Sequence, residues 1–252
     1  MQMEVFFMID LHTHILYGID DGAKTFDESF SMLKKAYELG VEAVCLTPHQ
    51  STYRQFQQDD IPVHIKVNKL IDKLRESDID LELFVGAEID EHDELIQQLE
   101  HVHALGNSKY VLIDFTMRET DVSEVIYTLR QMGYHTIVAH PERLRYLSFN
   151  DLLSLKEEGA IFQVSAEHLV PYRMTKSSRR AKRLLKHHLI DIIASDCHEI
   201  DDLDHLKKSY DYVYKKVGHE LTQKWYVDNP KKILGIHERK DVHGRNATNS
   251  GN

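Results

Sequence analysis

Histidine and carboxylate residues recur at short, regular spacing in two distant segments of the sequence. Asp10, His12 and His14 alternate along one predicted strand, so a side-chain period of two places them on one face. Asp196 and His198 repeat this spacing near the end of the last predicted strand. Imidazole nitrogens and carboxylate oxygens are ligands for Zn²⁺, Mn²⁺ and Fe²⁺. The spacing therefore predicts that each segment directs its ligands at a divalent cation.

Ligand-type residues also occur where other predicted strands end. Taken singly, each has an ordinary explanation: Glu88 could begin a loop, and Asp114 could cap a helix. Six of seven predicted strands nevertheless end on such a residue, which favours a metal centre. The candidates outnumber the four ligands of Zn²⁺ or the six of Mn²⁺, so we expect two or three ions that share carboxylates. The candidate ligands are His12, His14, Asp21, His49, Glu88, Asp114, His140, Asp196 and His198.

The elements that position these residues alternate along the chain. Amphipathic stretches, predicted to be helices, separate the strands at 26–39, 61–74, 122–132 and 152–155, and two more follow at 203–217 and 220–227. Strands that alternate with helices predict a parallel sheet. Seven such units fit a distorted (β/α)7 TIM-like barrel better than an open sheet, with its active site at the carboxyl ends of the strands. The predicted strands are 5–12, 43–48, 81–88, 110–115, 135–140, 160–165 and 190–196.

Composition excludes several classes of protein. The 252 residues include 31 basic and 41 acidic side chains, a net charge of −10 that argues against a nucleic-acid partner. Two cysteines cannot form a disulfide framework, which favours the reducing cytoplasm. No apolar run approaches a membrane span, so we expect no membrane-embedded part. Neither a dinucleotide-binding glycine motif nor a phosphate-binding P-loop is present.

Five short motifs carry a resemblance to a known family. The sequence resembles the PHP (polymerase and histidinol phosphatase) family, and within it the manganese-dependent protein-tyrosine phosphatases of bacterial capsule and exopolysaccharide loci. The resemblance predicts one PHP-type barrel domain over 8–236, preceded by an extension at 1–7 and followed by a disordered polar tail at 237–252. The motifs are His12-Thr13-His14, Pro48-His49, Gly86-Ala87-Glu88, His140-Pro141-Glu142-Arg143 and Ser195-Asp196-Cys197-His198.

The resemblance implies a reaction and a division of the ligands among three ions. His12, His14, Glu88 and Asp196 would hold the first ion; Glu88, Asp114 and His140 the second; Asp21, His49 and His198 the third, for which Asp20 competes with Asp21. The implied metal is Mn²⁺, with Fe²⁺ or Zn²⁺ as alternatives. Arg143 would contact the phosphate, and a metal-bound hydroxide would attack phosphorus. The implied partner is the phosphotyrosine-bearing tail of a bacterial tyrosine kinase.

Three positions depart from the family pattern. Asp114 stands where Glu is usual, Gln50 stands where a basic residue or His is common, and Leu203 stands where a second phosphate-binding Arg is expected. Two alternatives therefore remain open: another PHP phosphatase, such as one acting on histidinol phosphate, and a metal-binding module with weakened catalysis. The general acid also remains open, between a metal-bound water and a histidine of the site. The oligomeric state is not predicted.

Two further segments bear on mechanism and partner. Cysteine-dependent phosphatases carry Arg six positions after the catalytic Cys, but Ser51 and Leu203 occupy that offset after Cys45 and Cys197. A thiol nucleophile is therefore not expected. The basic run at 176–183 is either a solvated helix face or a docking surface for an acidic kinase tail.

Overall fold

The computed structural model describes residues 7–51, 61–91 and 103–236. Within these ranges the protein is an α/β fold whose strands all pair in parallel, as predicted. One sheet has the strand order β1-β2-β4 and the other has the order β3-β5-β6-β7-β8-β9. The strands are β1 (Met8–Thr13), β2 (Val41–Leu46), β3 (His49–Gln50), β4 (Glu82–Val85), β5 (Glu88–Asp90), β6 (Tyr110–Asp114), β7 (His135–Ala139), β8 (Ile161–Ser165) and β9 (Ile192–Ala194).

The chain passes from one sheet to the other within the third predicted strand (81–88) and directly after the second (43–48). The second strand breaks between β2 and β3 at Pro48, which has no N–H to donate to a neighbour. The third breaks between β4 and β5 at Gly86, where a Cβ atom would lie 2.7 Å from Leu105 Cδ2. Both breaks place the strand ends, with His49 and Glu88, in the second sheet. The parallel α/β class is confirmed, whereas closure of the strands into one barrel stays a prediction.

The first and last strands meet at their ligand-bearing ends. Thr13 and Cys197 form an isolated parallel bridge. Asp196 N–H donates to His12 O (2.9 Å), and His14 N–H donates to Cys197 O (3.0 Å). This contact aligns the two segments that carried the alternating ligand pattern in the sequence.

Helices cover the strands and begin at recognisable caps. Thr25 and Glu28 form a capping box at the start of the first helix, and the Thr175 side chain caps the helix that contains the basic run. The predicted segment at 220–227 is a short helix followed by a π-helical turn (Lys224–Asp228). The helices are α1 (Phe26–Glu38), α2 (Val63–Glu76), α3 (Val122–Gln131), α4 (Phe149–Glu157), α5 (Lys176–Lys186), α6 (Leu203–Val217), α7 (His219–Gln223) and α8 (Asn229–Leu234).

Apolar side chains fill the space between strands and helices. Leu203 is fully buried in this core, so this side chain is not exposed to a substrate. Among the described residues, none of the helices is both long enough and apolar enough to cross a membrane. The predicted extension (apart from Phe7) and the predicted polar tail lie outside the described residues.

Candidate metal centre

Eight of the nine predicted ligands come together in three overlapping clusters at the carboxyl ends of the strands. In each cluster the ligand atoms lie within 4.8 Å of one another. His12 and His14 each belong to two clusters, so the three form one continuous centre. The clusters found among the described residues are His12, His14 and Asp196; His12, Glu88 and His140; and His14, Asp21, His49 and His198.

The middle of the centre is a compact group of two imidazoles and two carboxylates. His12 Nε2 and His14 Nε2 lie 3.2 Å apart. Glu88 Oε2 lies 3.3 Å from each of them, and Asp196 Oδ1 lies 3.5 Å from each. Four donor atoms thus converge on one small volume inside the protein, which is the donor set of a divalent cation site.

Glu88 also contacts two imidazoles outside this group, those of His140 and His49. Its Oε1 lies 2.8 Å from His140 Nε2, and its Oε2 lies 3.0 Å from His49 Nδ1. One carboxylate therefore reaches four imidazoles, as a bridging ligand would. His140 Nδ1 is buried without a hydrogen-bond partner among the described residues. A buried imidazole with an unused nitrogen fits a position beside a cation.

Asp21, rather than Asp20, faces the third cluster. Asp21 Oδ1 lies 3.3 Å from His198 Nε2 and 3.6 Å from His49 Nε2. Asp20 Oδ2 lies 2.7 Å from His14 Nδ1 and also accepts from His49 N–H. Asp20 therefore orients the His14 ring through the nitrogen that does not face the cluster. The turn is tight: a Cβ atom at Gly22 would lie 1.9 Å from His14 O.

Asp114 lies at the edge of the centre and outside the three clusters. Its Oδ1 accepts from Thr116 N–H (2.7 Å) and is 3.9 Å from His140 Nδ1. Asp90, paired with Asp114 in the strand register, is fully buried and has Oδ1 3.6 Å from His49 Nδ1. Asp90 was not among the ligands predicted from sequence, although its alternation with Glu88 on one strand indicates it.

Arg143 borders the centre, but its guanidinium is already engaged. Arg143 Nη2 lies 2.7 Å from Asp196 Oδ2 and 3.1 Å from Glu167 Oε1. Glu167 also pairs with Arg173 at 2.7 Å, so one carboxylate joins two guanidinium groups. Arg143 Nε donates to His168 Nε2 (3.4 Å). Nothing in the sequence pattern indicated Glu167, His168 or Arg173, because all three come from the loop that follows β8.

Burial and neighbouring positive charges have opposite effects on the pKa of the carboxylates in this centre. Burial disfavours the Asp196 carboxylate, but His12 and Arg143 outweigh it and hold the pKa of Asp196 well below its usual range. Burial likewise opposes ionisation of Glu88, yet contact with His12 and the other imidazoles brings its pKa well below the usual value. Both carboxylates are thus ionised, as metal ligands must be.

The two cysteines are unsuited to nucleophilic chemistry. Both are buried, and burial raises the pKa of Cys45 and of Cys197 far above that of a free thiol. The thiolate is the nucleophilic form of cysteine. This agrees with the absence of the cysteine-phosphatase spacing.

Backbone conformation at two ligands is unusual. His140 (φ 33°) and Asp196 (φ 55°) adopt left-handed conformations, which residues with a Cβ seldom do. Both directly follow a strand or lie within two residues of its end, so the chain turns sharply as it leaves the sheet. Such backbone strain is concentrated at functional sites.

Fold and site together define a metal-binding α/β protein with its centre at the carboxyl ends of parallel strands. A lactonase from Listeria monocytogenes shares this fold, with a TM-score of 0.59 at 12% identity over 90% of this chain and 94% of that one. The chain belongs to the CpsB/CapC family of capsular polysaccharide synthesis, whose profile matches residues 8–235. This confirms the resemblance to the phosphatases of capsule loci.

Several relatives of this chain are named as tyrosine phosphatases. The chain is 32% identical over 235 residues to a putative tyrosine-protein phosphatase, CapC of Staphylococcus aureus (90% of this chain, 91% of that one). It is 30% identical over 221 residues to the tyrosine-protein phosphatase YwqE of Bacillus subtilis (85% and 87%). A crystal structure of the metal-dependent tyrosine phosphatases YwqE and CpsB matches with a TM-score of 0.81 at 29% identity (90% and 94%).

Proposed function

We propose that this protein is a metal-dependent protein-tyrosine phosphatase that acts on a bacterial tyrosine kinase controlling capsule or exopolysaccharide synthesis. One observation carries the proposal: Asp196 contacts the imidazoles of the centre through Oδ1 and the Arg143 guanidinium through Oδ2. A site for cations and a site for a phosphoryl group thereby share one residue. The names of the relatives supply the tyrosine specificity and the capsule context.

Two or three divalent ions would occupy the centre, Mn²⁺ first, with Fe²⁺ or Zn²⁺ as alternatives. The three clusters would hold them, with Glu88 as the bridging carboxylate and Asp114 as an outer ligand of the ion at His140. When bound, the ions would lower the pKa of a coordinated water and neutralise phosphoryl charge. Nitrogen and oxygen donors without thiolate suit these metals.

The chain's own residues bind and orient the substrate. The Arg143 guanidinium would donate to the phosphoryl oxygens, and its pairing with Asp196 and Glu167 fixes the direction of the N–H groups in advance. Asp20 keeps the His14 ring in place. A tyrosine leaving group, with a pKa of about 10, departs more easily than the alkoxide of serine.

We also propose how the two sheets are arranged and where the protein acts. We take the two sheets as one distorted (β/α)7 barrel, a single domain over 8–236, because the bridge between Thr13 and Cys197 joins the last strand to the first. The protein would act in the cytoplasm, where the kinase tail is accessible.

The proposal is tested by removing metal and returning it. Protein stripped with a chelator should not hydrolyse a phosphotyrosine peptide, and Mn²⁺ should restore hydrolysis with clear preference over the matched phosphoserine peptide. Histidinol phosphate and single-stranded DNA complete the panel. Faster turnover of histidinol phosphate would instead identify a small-molecule phosphatase, and metal binding without any turnover would identify a binding module.

A further inference from the structure

A histidine that is not a candidate ligand lies in the wall of the cavity beside the metal centre. The cavity has a volume of about 370 Å³ and contains two candidate ligands together with Arg143. His205 is half-buried in the first turn of α6, between the buried side chains of Leu203 and Leu206, which anchor that turn in the core. The cavity is lined by Arg143, Glu167, Ser195, Asp196, His198, Asp202 and His205.

We infer that His205 is the general acid that protonates the tyrosine oxygen as it leaves phosphorus. This inference rests on the proposed function. It follows from comparing the groups in the cavity wall that could give up a proton, once the candidate ligands and the guanidinium are set aside. The remaining groups are Glu167, Ser195, Asp202 and His205.

Two of these groups are committed as acceptors. Glu167 accepts from the Arg143 and Arg173 guanidinium groups, at 3.1 Å and 2.7 Å, and has no proton to give. Asp202 Oδ2 accepts from the backbone N–H groups of His198 and Glu199, both at 3.0 Å. Each carboxylate therefore holds part of the site in place as an anion.

Ser195 is committed in another way. Its hydroxyl donates to His12 O (3.4 Å) and accepts from Cys197 N–H (3.2 Å), so it ties the last strand to the first. A serine hydroxyl is also too weak an acid to protonate a phenolate at neutral pH. Of the four groups in the cavity wall, His205 is therefore the one that can act as a general acid.

The neighbouring His168 does not fill this role. Its Nε2 accepts from Arg143 Nε, and burial lowers its pKa to about 4, which keeps the ring unprotonated. In His205 the Nδ1 atom is buried without a hydrogen-bond partner among the described residues. The half-exposed ring would therefore deliver its proton from Nε2, the other nitrogen.

The proposed step balances as a hydrolysis. A water molecule adds to phosphorus and loses one proton to the solvent, and the bond between phosphorus and the tyrosine oxygen breaks. Its electron pair passes to that oxygen, which takes the Nε2 proton of the protonated (imidazolium) form of His205 and leaves the ring neutral. The ring regains a proton from solvent, so water and tyrosine phosphate give tyrosine and hydrogen phosphate.

The experiment compares substrates that differ in their need for a proton. The metal-loaded His205→Asn and His205→Gln variants are assayed on a phosphotyrosine peptide and on 2,4-dinitrophenyl phosphate, whose phenolate leaves without protonation. General acids contribute about 100-fold or more, so we expect a loss of about that size on the peptide and little change on the dinitrophenyl ester. The matched control is His64→Asn, on the exposed side of α2, with wild-type rates on both substrates.

Metal content and melting temperature are measured in every variant. An equal loss on both substrates, an unchanged rate on the peptide, or a fall in metal content would overturn the assignment. As an independent check, imidazole added to His205→Ala should raise peptide hydrolysis and leave the dinitrophenyl rate as it is; no rise would count against the inference. If wild-type protein hydrolyses neither ester, the proposed function itself fails.

Discussion

At the scale of single residues, Arg143 is the group whose removal separates substrate binding from metal binding. A charge-assisted contact with a phosphoryl group contributes roughly 1.5–3 kcal/mol, equivalent to about 10- to 150-fold in kcat/KM. We expect Arg143→Ala to lower kcat/KM for a phosphotyrosine peptide by at least about tenfold. Steady-state kinetics with Mn²⁺ measure this change.

The Arg143→Ala result is interpreted with a metal determination and a control variant. Because Arg143 pairs with Asp196, metal content is determined by elemental analysis in parallel. The control is Arg75→Ala on α2, where the side chain is 77% exposed. Full activity in Arg143→Ala would remove this residue from the mechanism, and loss of metal would assign it to holding Asp196.

Asp20 and Asp21 are adjacent in sequence but have different surroundings, and their variants should differ in kind. Asp21→Asn removes the carboxylate from the cluster that includes His49 and His198, so the number of bound ions should fall by one. Asp20→Asn loses the charge behind His14 and should weaken affinity by about 10- to 100-fold at unchanged stoichiometry. Titration with Mn²⁺ distinguishes these results, and a reversal of the two patterns would exchange the assigned roles.

At the scale of elements, helix α2 supports the loop that carries both aspartates. Lys66 is fully buried, and its Nζ donates to Tyr17 O (2.9 Å) and Gly18 O (3.1 Å). Lys66→Met removes both hydrogen bonds, at a cost of about 1–3 kcal/mol for buried acceptors that lose their donor. Melting should occur about 2–4 °C lower for each kcal/mol lost. We also expect weaker Mn²⁺ binding, measured by titration.

Lys69→Met is the matched control for that variant. Lys69 lies on the same helix, but its side chain is exposed and stacks over the Phe26 ring. The control should bind Mn²⁺ as the wild type does. Equal metal affinity in Lys66→Met would show that the loop keeps its shape without the buried ammonium group.

The order and type of these elements could be predicted from sequence, but the sheet assignment could not. Periodicity identified α6 at its observed bounds and the strands that end at Asp114 and near His140. The break at Pro48 has a local cause, but the break at Gly86 depends on the close approach of Leu105, which lies outside the strands. Such contacts join residues far apart in sequence, so a local pattern cannot show them.

The same limit applies to the centre. Alternation on a strand correctly grouped His12 with His14, because a strand repeats every two residues. It could not separate Asp20 from Asp21, since both lie in a turn, where direction depends on the tight approach to His14 at Gly22. Nor could the sequence pattern show that Leu203, which stands where the family pattern has a phosphate-binding Arg, is fully buried in the core.

At the scale of the whole molecule, the centre joins both sheets. Its candidate ligands include residues of β1 in one sheet and of β3 and β5 in the other. Ions bound only by the folded protein stabilise it by about 2.7 kcal/mol each at a concentration of 100 Kd. We expect Mn²⁺ to raise the melting temperature of chelator-treated protein by about 5–10 °C per ion.

Calorimetry with and without Mn²⁺ measures that stabilisation. The double variant His12→Ala with His14→Ala, which removes a ligand from each cluster, should melt at the same temperature in both conditions. A wild-type melting temperature that does not respond to Mn²⁺ would contradict the three-cluster assignment.

The junction of β1 with β9 also has a consequence for biosynthesis. Two of the three clusters combine His12 or His14 with Asp196 or His198, which a ribosome adds more than 180 residues later. At about 5–20 residues per second, roughly ten seconds or more of translation separate these partners. A growing chain therefore carries both imidazoles long before Asp196 and His198 are added. Metal loading of those clusters, and any turnover that depends on them, therefore requires a polypeptide synthesised past residue 198.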